Sequence, residues 1–160
     1  MPINLSAFWA PSSLPAPPLR PGFVPVAEQE LGVRLPAELL ALLAQQNGGD
    51  TRGFAFLTTK ATSWSATHVP FDELFGLIPP SDSGPASLLD SAYLTQEWGL
   101  PEKQVLFSGD GHCFISLDYR NGPEPTVAWI DTEMEQEVQL AESFAVFLAG
   151  LVDSDSLSEE

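Results

Sequence analysis

The stretch from Glu30 to Gly49, ELGVRLPAELLALLAQQNGG, together with VPVAEQ at 24–29 just before it, carries the clearest structural punctuation in the chain. Pro25 suits a first helical turn, where its missing amide donor costs nothing, and Gly32 directly after Leu31 is a candidate left-handed stop. Pro36 biases Leu35 to an extended backbone and again suits a first turn, after which Leu39, Leu40, Leu42 and Leu43 form an apolar stripe that ends at Asn47-Gly48. The spacing predicts two short helices joined by a sharp corner.

On the N-terminal side, residues 1 to 21 hold six prolines, Pro2, Pro11, Pro15, Pro17, Pro18 and Pro21. Proline fixes φ and removes a donor, so this stretch reads as an extended arm over 1–23 rather than as helix or central strand. Phe8 and Trp9 are the residues that could pin it to the body; otherwise it is a mobile leader.

On the C-terminal side the period shifts toward two. FAFLT from Phe54 is a short β-like run, and HVPFDELFGLIP carries two prolines that restrict any strand to an edge or to short pieces. Residues 86–97, ASLLDSAYLTQE, place Leu88, Leu89, Ala92 and Tyr93 at helical spacing, closed by Gly99 and Pro101. In CFISLDY, Cys113, Ile115, Leu117 and Tyr119 share one face and Ser116 and Asp118 the other, the alternation of a half-buried strand. TVAWI resumes after about five loop residues and completes a hairpin. LAESFAVFLAGLV sets Leu140, Phe144, Phe147, Leu148 and Leu151 on one helical face, with Ser143 as N-cap. This order indicates an α+β fold: a mostly antiparallel sheet with helices packed on one face. A single domain over 24–152 and an acidic tail over 153–160 complete the expected organisation.

The 160 residues are 44% apolar, enough for one core, and carry 6 Lys plus Arg against 22 Asp plus Glu, a net charge of −16. Phosphate backbones and anionic membrane surfaces are repelled by such a surface, whereas a basic partner is attracted. No run approaches the roughly 20 apolar residues that span a bilayer, and no basic-then-apolar leader is visible, so the expected location is cytoplasmic. The single cysteine, Cys113, has no internal disulfide partner.

The inventory for chemistry is thin. Cys113, His68 and His112 lack the paired spacing of a zinc site, and neighbours such as His112 and Cys113 in a strand point to opposite faces, so they do not form a thiolate–imidazolium pair. Cys113 reads as a small core hydrophobe. SGDGH at 108–112 has no following Lys or helix start and reads as a tight turn, with Gly109 and Gly111 supplying positive φ. Neither a catalytic set, a metal site nor a cofactor is expected.

The informative polar feature is IDTEMEQEV. If the strand from Thr126 continues, Asp131, Glu133, Glu135 and Glu137 project from one face about 6.5 to 7 Å apart. Such a row is wet or matched by cations, and after Gln104 the chain has only Arg120 against 12 acids. The counter-charges then come from another molecule, unless the row is a solvated hairpin edge that uses charge to prevent aggregation. A linear row does not wrap around a calcium ion.

ELGVRLPAELLALLAQQNGG resembles the entry motif of the SUKH superfamily, the Smi/Knr-type proteins: short helix, Gly, Leu-Pro step, Leu-rich helix, Asn-Gly stop. LFGLIP, VLFSGDGHCFISLDY, TVAWID and AESFAVFLAGL are similar to later segments of the same pattern, so the resemblance covers about residues 24–152. Leu35, Pro36, Asn47, Gly48, Gly109, Asp110, Leu117 and Asp118 match the motif; most read as fold-determining, and Asp110 and Asp118 stand open between fold and function. His112 and Cys113 replace the family's usual aromatic or Gly residues after Gly-Asp-Gly, and the arm lies outside the pattern. For bacterial members the resemblance implies an immunity protein that binds and neutralises a cognate toxin, often a nuclease; some eukaryotic relatives are regulatory scaffolds. The expectation is therefore a binding protein, not an enzyme, that occludes a basic toxin domain with Asp131, Glu133, Glu135 and Glu137, helped by Asp110, Asp118, Asp72 and Glu73. Trp64 and Trp129 are possible aromatic anchors, though at a strand position Trp129 is more often core, and an intracellular scaffold without a toxin partner is the alternative.

Overall fold

The computed structural model describes residues 8–10, 19–20, 22–58, 61–62, 67–78, 87–110 and 113–153. Helices α1 (Phe23–Leu31) and α2 (Ala37–Gln45) lead into strands β1 (Gly49–Leu57) and β2 (His68–Leu74). Helix α3 (Ser91–Trp98) follows a 3-10 turn at Leu88–Asp90, then come β3 (Gln104–Asp110), β4 (Cys113–Asp118), β5 (Thr126–Asp131) and β6 (Gln136–Ala141), helix α4 (Phe144–Ala149) and β7 (Leu151–Asp153). The α+β class holds, with the strands divided between two antiparallel sheets, ordered β2-β1-β7 and β3-β4-β5-β6. No described helix is long and apolar enough to cross a membrane.

The punctuation around the first two helices acts as its chemistry dictates. Gly32 takes φ 76° and closes α1 through its N–H to the Glu28 carbonyl. Pro36 sits one position before α2, in extended geometry, rather than inside its first turn. Leu39, Leu42 and Leu43 are buried, and Leu40 packs half-buried beside them. Pro70 is accommodated because β2 ends its sheet.

Asn47 closes the corner after α2. Its Nδ2 donates to the Leu77 carbonyl at 3.1 Å and its Oδ1 accepts from the Leu77 N–H at 2.8 Å, both buried. Gly76 passes so close that a Cβ there would lie 2.2 Å from the Asn47 carbonyl oxygen, so only glycine fits. The next residue, Phe75, donates its N–H to the Phe107 carbonyl at 2.8 Å. Phe107 is where the β3–β4 register slips, so an irregularity in one sheet supplies the acceptor that ties it to the other.

Three expectations are corrected. Strand β4 is buried on both faces from Phe114 to Asp118, because the polar face holds an internal hydrogen-bond network rather than water. The last helix covers only Phe144–Ala149, capped by the Ser143 hydroxyl accepting from Val146 N–H; Leu140 belongs to β6 and Leu151 to β7, which pairs with β1. The strand from Thr126 stops at Asp131 and turns back through residues 132–135 into β6.

The arm is pinned at residues 8–10. Phe8 is fully buried among Phe54 and Phe71, and Trp9 bridges Thr51. The remainder of residues 1–18 and the tail from 154 lie outside the described residues, as do Trp64, Gly111 and His112.

The Asn47 clamp yields a direct expectation. Asn47→Ala strands a buried N–H and a buried carbonyl at Leu77, and should lower unfolding free energy by about 2 to 3 kcal/mol. Urea denaturation reads this, and a loss below about 0.5 kcal/mol would show that the clamp is not what holds the corner.

Candidate functional site

The eight acids expected to form a binding face do not share one. Asp131 pairs with Gln136 while Glu137 pairs with Ile130, and because cross-strand partners share a face and successive residues alternate, Asp131 and Glu137 lie on opposite sides of the sheet. Asp131 is 1% exposed, and its Oδ1 accepts from the N–H groups of Glu133 at 2.9 Å and Met134 at 3.0 Å, an Asx-type cap of the turn. Glu135 adopts φ 52° to complete the reversal. Glu133, Met134 and Glu135 are exposed at the tip, so an apolar side chain stands between two carboxylates.

Asp118 and Glu137 already have their cation. Arg120 forks onto Asp118, with Nη2 to Oδ2 at 2.8 Å and Nε to Oδ1 at 3.0 Å, and the same Nη2 reaches Glu137 Oε2 at 2.7 Å. Gln104 Nε2 donates to Asp118 at 3.0 Å, and Ser116 Oγ donates to Gln104 Oε1 at 2.7 Å. Burial alone would raise the Asp118 pKa, but hydrogen bonds from the Arg120 side chain and backbone and from Gln104 outweigh it and hold the carboxyl below its ordinary value. The Arg120 guanidinium is held above its own ordinary range by the same contacts. The counter-charge for Asp118 and Glu137, expected from another molecule, is thus supplied within the chain by Arg120, and Asp118 is part of the fold's own network.

A different pair of acids is left together. Asp50, on β1, stands opposite Glu73 on β2 and raises the pKa of Asp72, adding to the desolvation that is the larger cause. Asp50 and Asp72 are exposed, Glu73 is half-buried, and among the described residues no ion pair engages Asp50 or Asp72. Like charges on adjacent strands destabilise the pairing that holds them. Asp50 was not singled out by sequence; the signal was available in its position directly after Asn-Gly-Gly, at the exit of the helix stop. Asp110 ends β3 opposite Cys113 and is described by its backbone alone.

Trp129 is 1% exposed and belongs to the core, not to a partner surface. Cys113 is half-buried against the core rather than enclosed in it. His68 shares a 2.8 Å hydrogen bond with the Thr67 hydroxyl. Among the described residues no group of three or more His, Cys, Asp or Glu is placed to hold a metal ion.

A concavity of about 1550 Å³ runs between α1, α3, the start of β3 and the turn after β4. Arg34, Lys103 and Arg120, half of the chain's six cations, line it with Glu28, Glu30 and Glu102. Its floor is structural: the Tyr119 hydroxyl donates to the Arg34 carbonyl, and Glu28 Oε2 accepts from Leu35 N–H at 2.7 Å. Burial, with a smaller push from Glu28, raises the Tyr119 pKa, so the phenol stays protonated at neutral pH.

The Asp118 network predicts a defined acid response. A folded-state pKa below the ordinary 3.8 stabilises the fold above that value, and the contribution disappears as pH falls through the depressed folded value. Asp118→Asn should therefore cost about 2 kcal/mol at pH 7, with the gap to wild type closing as pH drops below 3.8. A gap that stays constant down to strongly acidic pH would contradict this assignment.

No curated protein and no solved structure matches the chain. The family model described as SMI1 / KNR4 family (SUKH-1) matches residues 24–150. That span runs from α1 through Gly150 at the end of α4, and includes both the Asn47–Gly76 corner and the Arg120 network. With most of its length matched, from the first helix to the last, the chain belongs to the SMI1/KNR4 (SUKH-1) family.

Proposed function

We propose that this protein is an immunity-type binding protein that neutralises a cognate, basic toxin domain, such as a nuclease, by direct protein–protein contact and without catalysis of its own. The observation that supports the reading most directly is the gathering of Asp50, Asp72 and Glu73 on β1 and β2: Asp50 stands opposite Glu73 and adds to the burial that raises the Asp72 pKa, and no ion pair engages Asp50 or Asp72 among the described residues. Arrangements that weaken the fold persist where they serve a partner. Glu73 beside them and the Glu133-Met134-Glu135 tip add two further contact elements, one of which offers an exposed apolar side chain. The net charge of −16 steers a cationic partner toward the protein over distances comparable to the Debye length, about 8 Å at physiological salt.

The reading replaces a single acidic row with two separate acidic elements, and so it separates their effects. Against a cognate basic toxin domain, Asp50→Lys with Asp72→Lys should weaken binding at least 10-fold and flatten its salt dependence, with a smaller loss for Glu133→Lys with Glu135→Lys. Unchanged affinity and salt slope in both double variants would overturn the proposal.

Asp72→Asn makes a second test. A raised folded pKa means that the ionised carboxylate destabilises the fold once pH exceeds the ordinary 3.8 and then the folded value. The variant should melt at a higher temperature than wild type at pH 7 while binding the partner more weakly. A variant that is stabilised yet binds as wild type would remove Asp72 from the contact.

A further inference from the structure

Residues 8–10 precede the family-matched segment, yet they are built into the body through an isolated antiparallel bridge between Trp9 and Thr51. Ala10 N–H donates to the Asp50 carbonyl at 3.0 Å and Arg52 N–H donates to the Phe8 carbonyl at 3.0 Å, on either side of the Trp9–Thr51 bridge. These bonds run from main chain to main chain and carry no side-chain information. Selectivity comes from two seats. The Phe8 ring lies 5.5 Å from Phe54 and 5.8 Å from Phe71, fully buried, and Trp9 crosses it edge-on at 5.0 Å while its Nε1 donates to the Leu42 carbonyl at 3.2 Å. Strand β7 pairs only with Phe54–Phe56, so the arm takes up backbone groups of Asp50 and Arg52 that β7 does not reach.

Backbone pairing along a strand with an aromatic in a pocket is a general mode of peptide recognition. Between Ala10 and Leu19 the sequence places Pro11, Pro15, Pro17 and Pro18. We propose that the seat beside Thr51 is a strand-docking site whose second occupant is the same arm of another copy, so that two chains exchange residues 8–10 and form a dimer. Every contact is identical within one chain and between two. The own arm is favoured only by its effective concentration, of millimolar order for a short tether, so exchange shows at high protein concentration or after arms are released and re-annealed.

Full-length Phe8→Ala, which empties the pocket, is offered a fluorescent synthetic peptide of residues 1–12. Saturable binding at least 10-fold tighter than that of the same peptide carrying Phe8→Ala, with a rise in melting temperature, is expected; equal weak binding to a folded variant overturns the docking site. A measurement that does not depend on that variant uses wild-type protein, heavy-isotope-labelled and unlabelled, refolded together at about 1 mM and followed by native mass spectrometry. Mixed dimers that disappear with Ala10→Pro, which deletes the donor to Asp50, are expected. Monomer alone overturns the exchange, and so does a dimer that survives Ala10→Pro, because another surface then makes it.

Discussion

The close approach of Asn47 to Gly76 is the constraint on which the other placements depend. Two buried main-chain groups of Leu77 have the Asn47 carboxamide as their partner, and the Asn47 carbonyl occupies the space a Gly76 side chain would need. Gly48 is pressed against the same point, at φ 98° and with room for no Cβ beside Gly76 N. The end of α2, the start of β1 and the exit of β2 are therefore fixed to one another within a few residues. From there Leu88 N–H reaches the Gly76 carbonyl and Phe75 N–H reaches Phe107, so the turn before α3 and the strand β3 are set by the same corner. Polar groups without water have few acceptable partners, and that scarcity makes the corner specific.

A second polar device works inside the other sheet. Ser116, Gln104, Asp118, Arg120 and Glu137 form one chain of donors and acceptors across β3, β4 and β6. Asp118 is buried, so its charge is tolerable only with a bidentate cation and further donors, which Arg120 and Gln104 supply. Removing Arg120 would leave the buried Asp118 carboxylate without its cation, which ties Asp118 to the fold.

The first two helices were legible because their boundaries are set by residues with strong local rules: Gly32 at positive φ, Pro36 forcing an extended entry, Asn-Gly at the exit. Ser143 declared the start of α4 in the same way. The acidic row was misread because acids fall at every second position from Asp131 to Glu137, and a period of two alone does not distinguish a strand from a turn. The deciding signal was Asp131, whose side chain caps the amides two and three residues later and turns the chain before the alternation matters. Leu140 and Leu151 fell on a helical face by spacing, yet the pairing of β7 with β1 and the packing of Gly150 on the Phe56 ring end the helix between them. The burial of Ser116 and Asp118 was hidden for the opposite reason: a polar residue in alternation looks wet unless its partners, distant in sequence, are known. Asp50 and Glu73 were likewise separated by a strand and a loop, and only the β1–β2 register sets them opposite each other.

Loss of the row does not weaken the electrostatic case; it changes what that case depends on. Lys103 precedes Gln104 and Arg120 follows it as the single later cation, engaged by Asp118 and Glu137, which leaves the other acids after Gln104 without a cation from that part of the chain. Three of the chain's other cations, Arg20, Arg34 and Arg52, precede residue 58, and Lys103 stands beside the groove rather than beside the β5–β6 tip. A field of this kind acts over several ångströms of solvent and does not require its sources to be aligned, so steering survives the scattering of Asp131, Glu133, Glu135 and Glu137. Alignment matters for the contact itself, where charge gives rate and selectivity and desolvated apolar area gives affinity. Met134, exposed between two carboxylates on a turn held rigid by Asp131, combines the two in one element, whereas the Asp50–Asp72 pair supplies charge alone. In the proposed complex, this division would have the tip set how long the partner stays and the strand pair how fast it arrives.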